Sequence, residues 1–141
     1  METAVTAVLF GVELDLITEN LGPVAAVEVV KSLGEYINKN LDALGGFSAR
    51  QSRDQILTIL PHIEIGEADQ LLNNFARELQ ELALSEIRVS AQAEIKTEAC
   101  FEIYIYAGIT EARANEAIED IIRKAKSNQK VIATYRCEVR R

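Results

Sequence analysis

The chain has 141 residues, near the commonest single-domain length, and reads as one domain over residues 1–141. Hydrophobic residues make 48% and charged ones 26%, a globular balance that excludes a disordered chain. Lys+Arg 15 against Asp+Glu 22 leaves a net charge of −7, which repels nucleic acid and anionic membrane, so neither is expected as a partner.

Residues Ala4 to Val12 are an almost unbroken apolar run interrupted by Thr6, the pattern of a strand buried on both faces. Pro23 suits the first turn of a helix, and Ala26, Val30, Leu33, Ile37, Leu41 and Leu44 follow at steps of three and four until Gly45-Gly46. Phe47 to Arg50 and Ile56 to Leu60 predict two short strands, with Gln51 to Asp54 as the hairpin turn. A second helix is predicted from about Glu67 to Leu84, with Leu72, Phe75, Leu79 and Leu82 on one stripe. Strict alternation then predicts strands over Val89–Lys96 and Phe101–Ala107, joined by a turn at Lys96 to Ala99. A third helix follows from about Glu111 to Lys126, with Ala114, Ala117, Ile118, Ile121, Ile122 and Ala125 inward. Val131 to Val139 alternates again as a last strand.

The order β-α-β-β-α-β-β-α-β is α/β (α+β), and its first six elements are a split βαβ, ferredoxin-like arrangement. It implies a central, mostly antiparallel sheet with helices packed on it. No apolar run reaches the ~18–20 residues of a membrane span, and Met1-Glu2-Thr3 lacks the basic start of a secretory signal. Cys100 and Cys137 are too few for a disulfide framework and lack metal-ligand spacing. A cytoplasmic location without membrane insertion is therefore expected.

With a hairpin at its centre, this order resembles the palm-type domain of diguanylate cyclases, the GGDEF family. Leu14-Asp15-Leu16-Ile17-Thr18-Glu19-Asn20-Leu21-Gly22 falls where that family writes F-K-x-I-N-D-x-x-G. Arg50-Gln51-Ser52-Arg53-Asp54-Gln55-Ile56 falls on R-x-G-G-D-E-F, and Lys124-Ala125-Lys126 on the late r-A-K. The resemblance implies condensation of two GTP molecules with divalent metal, held by carboxylates at the first strand and hairpin turn. The residues depart from that pattern. The first-strand aspartate falls on Phe10, the two turn glycines on Ser52 and Arg53, and the second acid on Gln55. Asp54 holds its slot, Ile56 falls on the closing F of the degenerate motif, and Lys126 remains where the family places a phosphate-contacting lysine. The guanine-reading asparagine falls on Thr18, and the aspartate that assists it on Val27. The inhibitory R-x-x-D falls on Ala43-Leu44-Gly45-Gly46, so cyclic di-GMP binding there is not expected.

The expectation is a degenerate GGDEF-like signalling domain, not an enzyme, with no catalytic residues, metal or cofactor, acting as a regulatory or dimerising module through a protein partner or homodimer. The alternative is a module that binds GTP or a related nucleotide without turnover, through Asp54, Arg53 and Lys126. An active cyclase using displaced carboxylates is a third reading. Glu13, Asp15, Glu19 and Asp54 form either a shifted acidic cluster or ordinary solvated acids. His62 reads as a loop residue, and Cys100 and Cys137 as reduced thiols on neighbouring strands. Tyr104 and Tyr106 share the polar face of their strand, as an interaction surface or as cross-strand packing. Arg136, Glu138, Arg140 and Arg141 read as a solvated face and tail. Arg50 and Arg53 beside Lys126 read either as an anion site or as scattered charge.

Overall fold

A computed structural model describes residues 5–41, 44–81, 99–113 and 115–139. The apolar run becomes β1 (Val5–Val12), buried from Thr6 onward on both faces. Its one polar break is satisfied, since the Thr6 hydroxyl donates to the Ile63 carbonyl at 2.7 Å. A helix absent from the sequence-based expectation follows, α1 (Asp15–Leu21), with Ile17 and Leu21 buried one turn apart. The Glu13 carboxylate accepts the Asp15 N–H at 3.0 Å, so one expected surface acid satisfies a donor at this helix start. Gly22, at φ 91, turns the chain into α2 (Pro23–Leu41).

α2 buries Ala26, Val30, Leu33, Ile37 and Leu41 as the periodicity predicts. Leu44 lies beyond the helix end and is 37% exposed, which shortens the expected stripe. β2 (Phe47–Ser52) and β3 (Gln55–Pro61) form the hairpin, and Ser52 pairs with Gln55 across a turn tightened to Arg53-Asp54. A register shift between Arg50 and Ser52 puts a bulge where a wider turn was expected. α3 (Ile65–Glu81) begins earlier than predicted and buries Ala68, Leu72, Phe75 and Leu79. The expected strand Val89–Lys96 and the Lys96–Glu98 part of its turn fall outside the described residues, whereas Ala99 opens β4.

β4 (Ala99–Ala112) is longer than expected and takes Glu111 and Ala112 from the predicted third helix. The reason is pairing: β1 runs antiparallel beside β4 up to Val5↔Ala112, and the ladder outweighs the helix propensity of Glu-Ala. The helix is therefore α4 (Ile118–Ser127); Ala117 is its N-cap and Ile118 is 56% exposed rather than inward. β5 (Lys130–Val139) closes the sheet. A register shift beside Ile105 moves Val131 off the face of Ala133 and Tyr135, so Val131 is 47% exposed.

The sheet order is β2-β3-β1-β4-β5, and every neighbouring pair is antiparallel. β1 to β4 adopt a ferredoxin-like order, with Ala99–Ala112 beside β1 where the element order had expected Val89–Lys96. α1, α2 and α3 cover one face, where Phe10, Leu33, Ile37, Phe75 and Leu79 share a core. Phe75 sits between Phe10 and Tyr36, with ring centroids 5.3 and 5.2 Å away. α4 covers the other face through a smaller cluster of Ala7, Leu9, Leu57, Ile121 and Ala125.

Candidate functional site: the hairpin turn and the end of the first strand

Three segments converge where β1 ends. The Val12 N–H donates to the Asp54 carbonyl at 3.1 Å, which ties the hairpin turn to β1. A Cβ on Gly11 would stand 3.7 Å from that carbonyl and 3.5 Å from the Gln129 amide nitrogen, just past α4. The turn is exposed, but it is stitched rather than loose. Arg50 donates through Nε to the Ser52 carbonyl at 3.1 Å and through Nη2 to the Arg53 carbonyl at 2.9 Å. The Ser52 hydroxyl donates to the Asp54 carboxylate at 2.9 Å. Arg53 reaches away from the hairpin, and its Nη2 donates to the Thr18 hydroxyl on α1 at 3.2 Å.

The sequence-selected residues are thus only partly brought together. Arg53 and Thr18 meet, and Ser52, Asp54 and Gln55 share the turn, with Ser52 Oγ 3.3 Å from Gln55 Oε1. Lys126 is exposed on α4, and no hydrogen bond or ion pair joins it to Arg53 or Asp54 among the described residues. Ile56 is buried beneath the turn, and Val27 is 49% exposed on α2. Phe10 is 1% exposed and packs on Phe75. A phenyl ring in an apolar core offers no oxygen, so this position does not fit a magnesium ion. Among the described residues no group of three or more His, Cys, Asp or Glu is placed to hold a metal. Glu13 serves α1, while Asp54 serves the hairpin turn, so the acidic residues do not act as one cluster.

At the inhibitory tetrad, Ala43 falls outside the described residues. A Cβ on Gly46 would come within 2.8 Å of Leu60 Cδ2, so this position holds no side chain without displacing the core. Tyr104 and Tyr106 do share a face, with ring centroids 6.5 Å apart. The Tyr104 hydroxyl donates to the Glu102 carboxylate, and that bond raises the phenol above its ordinary pKa. Cys100 and Cys137 lie on paired strands one residue out of register, opposite Glu138 and Phe101. His62 is exposed in the left-handed region at φ 66, a constraint its sequence position did not signal. Sequence reasoning also missed Gly11, Gln129 and the whole of α1. The α1 signal was the Ile17/Leu21 spacing, hidden among acids.

No family profile and no curated protein matches the chain. Solved structures do. The active GGEEF domain of a diguanylate cyclase from Vibrio cholerae is 17% identical with a TM-score of 0.65, over 89% of this chain and 73% of that one. The GGDEF domain of DgcB from Caulobacter crescentus, solved in complex with c-di-GMP, is 16% identical with a TM-score of 0.67, over 89% and 69%. The diguanylate cyclase SiaD from Pseudomonas aeruginosa, solved with its activator SiaC, is 16% identical with a TM-score of 0.68, over 89% of this chain and 45% of that one. The fold is therefore GGDEF-like. This corrects the expectation that the chain is no enzyme: the fold it shares is one in which an active diguanylate cyclase domain has been solved. No described helix is long and apolar enough to cross a membrane.

Proposed function

We propose that this chain is a GGDEF-like signalling domain that acts through protein–protein contacts, as a regulatory or dimerising module. The observation that supports this most is apolar surface left outside the described core. Val24 is 64% exposed, Val27 49% and Phe47 60%, and the first two lie a helical turn apart on α2. Burial in a partner interface gives such side chains a use that the monomer does not. Sedimentation of the purified chain tests the dimerising form. Self-association that Val27→Glu abolishes supports it, and a monomer at every concentration confines the reading to a different partner protein.

A second reading, occupancy by GTP or a related nucleotide, is favoured by one contact. Arg53 extends a guanidinium to Thr18 across the gap where the resemblance places guanine and phosphates. Guanidinium binds phosphate oxygens in pairs, and the Thr18 hydroxyl is a weak partner to displace. Mixing the chain with GTP and Mg²⁺ and reading melting temperature, bound nucleotide and product together tests it. A rise in melting temperature that Arg53→Ala erases supports the reading, and no shift with no bound nucleotide removes it. Cyclic di-GMP belongs in the same assay, since Gly46 leaves the R-x-x-D position without a side chain.

A further inference from the structure

The two edges of the sheet are finished differently. On β5, Gln80 of α3 uses its side-chain amide as a strand would: Nε2 donates to the Thr134 carbonyl at 2.8 Å, and Oε1 accepts the Thr134 N–H at 2.8 Å. That edge is capped. β2 is the other edge, and no described strand or side-chain amide covers its outer side. An open edge presents unpaired backbone donors and acceptors to any extended chain that reaches it.

Beside this edge runs a groove of about 290 Å³ between α2 and β2. Val27, Val30 and Ile56 give it an apolar lining, and Phe47 stands 60% exposed on the same strand. The charge of the groove is opposite to that of the chain. Lys31 and Arg50 line it and no carboxylate does among the described residues, although the chain carries −7. Neither cation meets a carboxylate among the described residues. Arg50 is held by two carbonyls, and Lys31 forms no ion pair among the described residues. Arg53, at the near end of the hairpin, is held by a hydroxyl. Among the described residues all three positive charges remain available to an anionic ligand.

We propose that the α2–β2 groove binds an extended acidic segment of a partner protein, which adds to the free edge of β2 as a further strand. Alternate apolar side chains of the segment enter the groove over Val27 and Ile56, while its carboxylates meet Lys31 and Arg50. Charge favours this occupant over a second copy: two copies bring −7 each, and antiparallel β2–β2 pairing sets Arg50 near its own equivalent. The inference deepens the protein-contact reading and rests on it.

The test uses the full chain, isotope-labelled, and two octapeptides that alternate valine with glutamate or valine with lysine. The valine–glutamate peptide should shift backbone amides within residues 47–52 and 27–38. Its affinity should fall about tenfold between low salt and 0.5 M NaCl, and several-fold in Lys31→Glu, an exposed helix position. The valine–lysine peptide should not bind. Equal binding of both peptides, or shifts outside these segments, overturns the proposal. So do β2 shifts that depend on protein concentration alone, which would identify a second copy. Photo-reactive benzoylphenylalanine at position 47 and, separately, at 104 then distinguishes the two readings in extract of the producing cells. Protein cross-links at 47 agree with the groove. Cross-links at 104 alone sink the groove but keep the protein-contact reading, and none at either position sinks both.

Discussion

At the scale of single residues, two backbone positions carry constraints that side-chain chemistry does not reveal. Gly108 lies where β4 passes under α4, and a Cβ there would stand 1.9 Å from the Ala125 carbonyl oxygen and 2.8 Å from its carbon. Those atoms are helix backbone and cannot swing aside. Gly108→Ala should therefore destabilise the fold by roughly 1–3 kcal/mol through overpacking, read as a lower urea midpoint with an unchanged slope. His62 is the reverse case. It is exposed and stands at φ 66, where an L side chain crowds its own backbone. His62→Gly should raise stability by about 1 kcal/mol, less what the freer unfolded chain takes back, whereas His62→Val should lower it. The residue-scale contrast extends to the site. Chain order alone aligns Phe10, Ser52, Arg53, Asp54 and Gln55 with a motif, but the Arg53–Thr18 contact spans 35 positions and has no sequence periodicity to announce it.

At the scale of elements, amphipathic stripes were legible wherever one face is buried along the whole element. α2 and α3 show this, because Val30, Leu33, Ile37, Leu72, Phe75 and Leu79 all enter the core at the expected steps. Legibility failed where pairing decides instead. Glu111-Ala112 reads as helix from its composition, yet its position opposite Val5 makes it strand. Val131 reads as buried from alternation, yet one bulge reverses its face. The α3–β5 junction was equally hidden, since Gln80 looks like a surface helix residue. Gln80→Ala leaves both polar groups of Thr134 to water and should cost about 1–2 kcal/mol, more than Gln70→Ala on the same helix. Tyr135 stands beside it, buried, donating to the Leu79 carbonyl. Burial pushes its pKa up to about 12 from an ordinary 10. A raised folded-state pKa means the neutral phenol stabilises the fold fully below pH 10, with that contribution lost as pH rises toward 12. Stability should fall by about 2 kcal/mol over that window, and Tyr135→Phe should lack this part of the fall.

At the scale of the whole molecule, the sheet is loaded unevenly. One face carries α1, α2 and α3 over a core that runs from Val8 to Tyr135, while on the other, among the described residues, α4 sets Ile121 and Ala125 against Ala7, Leu9, Leu57 and Ala112 of the sheet, so that three of these six buried side chains are alanine. Alanine buries little apolar area, so α4 gains less per residue from docking than α2 does through Val30, Leu33 and Ile37. A ten-residue helix is also too short to persist once undocked. Its other attachments lie at the surface: Lys124 pairs with Glu116 at 2.7 Å and donates to the Glu111 carbonyl at 3.1 Å. The Lys124 ammonium holds the Glu116 carboxyl below its usual pKa, but the pair is only partly buried, so salt weakens it. Opening of α4 should therefore precede global unfolding. Amide exchange in Ile121 to Ala125 should proceed through an opening of distinctly lower free energy than exchange in β1 or in Val29 to Ile37, and 0.5 M NaCl should widen the difference. The tight Gly108–Ala125 approach argues in the opposite direction, because it keys the helix to the sheet without a gap. The comparison decides between them. If α4 amides exchange with the same opening free energy as β1, the small cluster and its backbone contact are part of one cooperative unit, and the two faces of this sheet fold and unfold together.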